Sequence, residues 1–138
     1  MVSLIMFSLL FSCESRHETN GDLAGMWQLT MWQDKESDTI ISTKEQGIYY
    51  CFNLELIKIF KMQGRKAVGE NFYLAYFTHT GDSLFIGNIY KRPSDTLVTY
   101  ASVDTLGIPH NGKFHVDALS SDKLILSTPG STLCFRKY

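Results

Sequence analysis

From Gly25 to Tyr138 the chain is a succession of short alternating segments separated by turn residues, and this pattern limits the fold more than any other feature. "MWQLTMWQ" (26–33) puts Trp27, Leu29 and Met31 on one face and Gln28 and Thr30 on the other, the period-two pattern of a half-buried strand. "GIYYCFNLELIKIFKM" (47–62) sets Ile48, Tyr50, Phe52, Leu54 and Leu56 on one face. After Leu56 the apolar parity slips to Ile57 and Ile59, so a bulge or sharp bend is expected there. A helix over 52–62 is the alternative, and the aromatic and β-branched content favours strand. "NFYLAYFTHTGDSLFIGNIYKR" (71–92) reads as a hairpin about Gly81-Asp82. "TLVTYASVDTLGIP" (96–109) reads as a strand, or as a short helix starting near Ser102 and stopped by Gly107. "KFHVDAL", "KLILSTP" and "STLCFRKY" are three short strands joined at Ser120-Ser121-Asp122 and Pro129-Gly130.

Seven or eight strands with short links and little helix are best stabilised by closing on themselves, because closure removes exposed edges. Eight strands of about eight to ten residues with their turns need roughly 100–120 residues, which the segment 25–138 supplies. The expected fold is therefore all-β, an eight-stranded antiparallel up-and-down barrel, with a two-sheet sandwich as the alternative.

The apolar stretch "VSLIMFSLLFS" (2–12) is shorter than the roughly 20 residues of a membrane-spanning helix and suits the h-region of a secretory signal. Leu10-Phe11-Ser12-Cys13 resembles a bacterial lipobox, with an aliphatic residue three places before the cysteine and a small one just before it. That resemblance implies cleavage before Cys13, lipidation of its thiol and localisation in the bacterial cell envelope. Residues 1–12 are then a signal peptide and 13–24, with the polar run "ESRHETNGD", a flexible tether. Cys51 and Cys134 could pair in an oxidising compartment, but two separate buried thiols are favoured.

Gly25-Met26-Trp27 resembles the G-x-W signature on the first strand of lipocalins. In those barrels an arginine on the last strand packs over the tryptophan, and Arg136 stands in the matching place. The resemblance implies a clasp of Gly25, Trp27 and Arg136 that closes one barrel end by stacking the guanidinium on the indole. Residues 22–138 are also similar to small lipocalin-like lipoproteins of Bacteroidetes, through "LAGMWQLT" and "LGIPHNGKFHVDALSSDKLILS…LCFRKY". Residues 34–46 match nothing in that group.

A formal net charge of -1 with scattered Lys and Arg argues against nucleic-acid binding. The densest cationic group, Lys61 to Lys66, reads as a solvated turn. His110 and His115, separated by a glycine-containing turn, have no zinc-like spacing, and His79 lies by a hairpin tip, so no metal and no cofactor are expected. No G-x-S-x-G, phosphate loop or H-E-x-x-H occurs, so no enzyme is expected, although Glu55 or Asp117 pointing inward would reopen catalysis. Asp38-Thr39-Ile40, Asp82-Ser83-Leu84, Asp95-Thr96-Leu97 and Asp104-Thr105-Leu106 resemble an O-glycosylation acceptor of Bacteroidetes.

Aromatic residues make up 13% of the chain and most lie on expected strands. An aromatic-lined cup would bind a small hydrophobic or amphipathic ligand, with Tyr50, Phe52, Leu54, Tyr76 and Phe114 as candidate lining. A barrel packed solid by the same side chains is the alternative, since eight strands enclose barely more than their own side chains. The expected protein is thus an envelope-anchored barrel whose partners are the membrane, through its lipid, and either a small apolar ligand or another protein.

Overall fold

A computed structural model describes residues 20–63, 66–67 and 71–138. The signal segment 1–12 and the lipidation position Cys13 lie outside the described residues. Among those that are described, eleven strands and three short 3-10 helices follow in the order η1 (Gly21–Leu23), β1 (Gly25–Asp34), β2 (Thr39–Ser42), η2 (Lys44–Gln46), β3 (Ile48–Asn53), β4 (Leu56–Gln63), β5 (Lys66–Ala67), β6 (Phe72–Thr80), β7 (Ser83–Arg92), β8 (Thr96–Val98), η3 (Tyr100–Leu106), β9 (Lys113–Leu119), β10 (Lys123–Ser127) and β11 (Ser131–Lys137).

Eight of the strands form the closed ring β1-β3-β4-β6-β7-β9-β10-β11, sealed by antiparallel pairing of β11 with β1 from Trp27↔Lys137 to Asp34↔Ser131. Neighbours in the ring follow one another along the chain, so the barrel is the up-and-down meander that the turn spacing implied. The remaining strands are accessory. β2 pairs with the far half of β1, β5 with the end of β4, and β8 with the far half of β7. Residues 34–46 therefore leave the barrel as a hairpin and return through η2.

The segment 47–62 is two strands, not one with a bulge. Asn53 pairs with Leu56 across a two-residue turn, and Leu54 in that turn has φ of 54°. Each strand then keeps its own parity, which explains the slip: Ile48, Tyr50 and Phe52 face inward from β3, and Ile57 and Ile59 from β4. True bulges occur elsewhere. At Thr30 the β1–β11 register shifts, so Trp27 and Leu29 are buried while Met31, expected on their face, is 42% exposed. In β7, Gly87 and Asn88 together oppose Tyr76, which transfers the inward parity from Leu84 and Ile86 to Ile89.

Inward residues from all eight ring strands meet in one core that includes Trp27, Tyr50, Phe52, Ile57, Ala75, Phe77, Ile86, Phe114, Leu126 and Phe135. Its rings interlock, with Phe52 edge-on to Phe77 at 5.0 Å and Tyr50 tilted on Phe135 at 4.8 Å. The segment 96–109 resolves into β8 followed by η3, and η3 contributes Val103 and Leu106 to the core.

Candidate functional site

The barrel interior is packed by the chain itself. Tyr50, Phe52 and Phe114, three of the expected cup residues, face inward and are buried side by side with the rest of the core. The Tyr50 hydroxyl crosses the interior to donate to the Leu106 carbonyl at 2.5 Å, so η3 is tied into one end of the barrel. The next residue, Gly107, has φ of 95°, and a Cβ there would stand 2.8 Å from Leu133 Cδ1 and 2.9 Å from the Tyr50 hydroxyl. Only glycine lets the backbone pass so close to both walls. Burial also pushes the Tyr50 hydroxyl far above the usual tyrosine range, so it stays a neutral donor.

The other two cup residues are not inside. Leu54 sits in the β3–β4 turn, and Tyr76, at 63% exposure, points outward from β6. For Leu54 the reason is the turn, which takes it off the strand. For Tyr76 it is strand parity, since Ala75 and Phe77 on either side face the core.

The opposite end is closed by a clasp, but its cation is Lys137 and not Arg136. Trp27 is fully buried and donates its indole N–H to the Leu23 carbonyl at 2.9 Å. Lys137 Nζ lies 4.3 Å from the indole centre and also donates to the carbonyls of Asp22, at 3.1 Å, and Ala24. Trp27 pairs directly with Lys137 across β1 and β11, so both side chains share one face. Arg136 pairs with Gln28, faces outward, and donates to Gln28 Oε1 at 2.9 Å. Gly25 belongs to the clasp sterically, because a Cβ there would stand 3.0 Å from Lys137 Cε.

A wide groove opens on the outside of the barrel. β7 pairs with β9 through Ser83–Phe85 and with β8 through Ile89–Lys91, and between these stretches its edge opens beside η3. There Asn88, Ile89, Leu97, Val98, Thr99, Tyr100, Ala101 and His110 enclose a groove of about 500 Å3. Tyr100 fixes one wall, its hydroxyl donating to the carbonyls of Ile86 at 2.6 Å and Gly87 at 3.2 Å. Ile89 is buried and Leu97 is 58% exposed, so the groove grades from an apolar floor to an open lip. A second recess of about 200 Å3 lies between η3 and the ends of β4 and β6, walled by Phe60, Lys61, Tyr73 and Thr105.

Of the polar candidates, His110 borders the groove and the others lie elsewhere. His110 Nε2 stands 3.6 Å from Asp104 Oδ2 at the surface. His115 Nδ1 is 2.6 Å from Asp117 Oδ1, which also accepts from the Ser127 hydroxyl at 2.7 Å. The Ser127 and His115 hydrogen bonds hold the Asp117 carboxyl below the usual carboxylate range. Serine and histidine both bind the carboxylate and not each other, so the histidine does not activate the hydroxyl. Asp117 and Glu55 face solvent, not the barrel interior. No disulfide joins Cys51 and Cys134. They register with Met26 and Met31 on β1, about 16 Å apart at strand spacing, well beyond disulfide reach.

A family model described as a lipocalin-like domain matches residues 6–138. The chain belongs to the lipocalin-like domain family. Its fold is also that of a lipocalin-like protein from Bacteroides uniformis, at 25% identity and a TM-score of 0.63, covering 86% of this chain and 100% of that one. An uncharacterized protein from Bacteroides eggerthii matches at 20% identity and a TM-score of 0.60, covering 84% and 99%. A protein from Burkholderia xenovorans matches at 14% identity and a TM-score of 0.53, covering 83% and 81%. No curated protein matches the chain. The meander and the closed ring are consistent with this family. The groove was missed by sequence reasoning because it is made by β7 changing partners, and a ten-residue strand flanked by two shorter candidates was its one visible sign.

Proposed function

We propose that this lipocalin-like domain is a lipid-anchored, non-catalytic binding module of the bacterial cell envelope, taking a small hydrophobic or amphipathic molecule in the groove between β7, β8 and η3. The observation that carries the reading is the groove itself. Its volume of about 500 Å3 falls within the usual range of small-molecule sites. Its walls are mostly apolar, from Ile89, Leu97, Val98, Tyr100 and Ala101, with Asn88, Thr99 and His110 as polar groups that could orient a head group. The packed interior argues for a ligand held beside the barrel and not within it. The anchor rests on the lipobox-like Leu10-Phe11-Ser12-Cys13.

Native mass spectrometry of the full chain, purified from a bacterial envelope extract, tests this. A retained small molecule is expected, and it should be lost in Ala101→Trp, where an indole fills the groove from the exposed side of η3. An identical adduct in both chains, or none in either, contradicts the proposal. The second reading is an interaction module, favoured by the solid interior; it predicts a co-purifying protein and no small molecule.

A further inference from the structure

The outer wall of β4, β6, β7 and β8 carries an apolar surface that the barrel leaves uncovered. Leu56 pairs with Tyr76 across β4 and β6, and Leu74 with Tyr90 across β6 and β7. Tyr90 in turn pairs with Leu97 across β7 and β8. Leu54, in the adjoining turn, is 37% exposed, Leu56 38%, Tyr90 39%, Leu97 58% and Tyr76 63%. Lys58 stands within this wall, its Nζ 4.5 Å from the Phe72 ring centre. Across the barrel the outer face pairs Lys123 with Arg136, and the exposed Met31, Ile40 and Ile41 on that side belong to the β1–β2 hairpin.

The chain enters the barrel at this surface. Asn20 Nδ2 donates to the Leu54 carbonyl at 2.7 Å. Cys13 is seven peptide steps earlier in the sequence, a reach of at most about 25 Å. A lipid on Cys13 therefore holds the Leu54–Tyr76 end of the wall close to the bilayer. Tyrosine suits the boundary between acyl chains and head groups, and a lysine among apolar residues can extend its ammonium to the head groups. We propose that this wall, with Leu54, Leu56, Tyr76, Tyr90 and Leu97, lies against the bilayer that holds the anchor. Glu55 in the same turn keeps its carboxylate in water, so the contact is shallow. Leu97 also walls the groove, which places the groove's lip at the membrane contact, where a ligand could pass from the lipid phase. This inference rests on the lipid anchor proposed above.

The test uses the full chain extracted from bacterial membranes and reconstituted in phosphatidylethanolamine–phosphatidylglycerol vesicles with brominated acyl chains. Tyr76→Trp and Lys123→Trp are each compared with the unsubstituted chain. The indole added by Tyr76→Trp should lose about half its emission, as expected for a side chain some 5–10 Å into the interface, while that of Lys123→Trp keeps its emission. The mass of the Cys13 peptide reads the anchor separately. An unmodified Cys13 overturns the anchor and the docking together. An acylated Cys13 with equal emission from both variants overturns the docking alone. Cross-linking between copies through Tyr76→Cys in the vesicles also overturns it, by assigning the wall to a second copy.

Discussion

Replacing Tyr50 by Phe tests whether η3 is part of the barrel's closure. The phenol is fully buried, and its hydroxyl is the donor that the Leu106 carbonyl meets at 2.5 Å. Removing it leaves a buried carbonyl without that partner, a cost of about 1–3 kcal/mol. At about 4 °C per kcal/mol for a domain of this size, the melting temperature should fall by roughly 4–12 °C. Urea unfolding should give a lower midpoint at an unchanged slope. The pH dependence supplies an independent sign. The folded chain retains the Tyr50 proton that the unfolded chain releases near pH 10, so wild-type stability should fall as pH rises past about 10. The Phe variant should fall less steeply there. A loss below about 0.5 kcal/mol, with an unchanged alkaline limb, would refute the role given to this hydrogen bond.

Lys137→Ala should destabilise the protein by about 1–2 kcal/mol in urea unfolding, because it removes both the indole contact and two carbonyl hydrogen bonds, and it should cost more than Arg136→Ala. Gly107→Ala should cost about 2–4 kcal/mol by the same measurement, since its Cβ meets Leu133 and Tyr50 at a backbone angle suited to glycine. The depressed Asp117 carboxyl contributes stability that is present above the ordinary aspartate range near pH 4 and is lost as pH falls through its folded value. Ser127→Ala should therefore lower stability at neutral pH and flatten the acid limb of a stability–pH profile, with its cost shrinking as the carboxyl protonates.

Much of the barrel was legible because alternation and turn chemistry are local. Lys113–Leu119 has the bounds its alternation suggested, and Gly81-Asp82 forms the two-residue turn of the central hairpin. The misread strand facings share one cause, a change of parity that only the pairing of neighbouring strands reveals. Nothing in "LELIKI" distinguishes a bulge from a turn, and the pairing of Asn53 with Leu56 settles it. Thr30 and Gly87-Asn88 look like ordinary strand residues until β11 and β6 are set beside them. The clasp was more legible than its first reading. With Phe135 inward, alternation alone turns Arg136 outward and Lys137 inward, and only the family resemblance pointed to the arginine. The filling of the cup was not legible, because the Tyr50–Leu106 bond joins residues 56 apart in sequence.

Amide chemical shifts can locate a ligand that sits beside a packed barrel. The full chain, isotope-labelled and delipidated, should be titrated with the small-molecule fraction of an envelope extract. Saturable shifts are expected at Asn88, Leu97, Tyr100 and His110, with Tyr50, Phe52 and Phe114 nearly unmoved. Saturable shifts centred on Tyr50, Phe52 and Phe114 would contradict this placement, because they would mean that the core opens to receive the ligand.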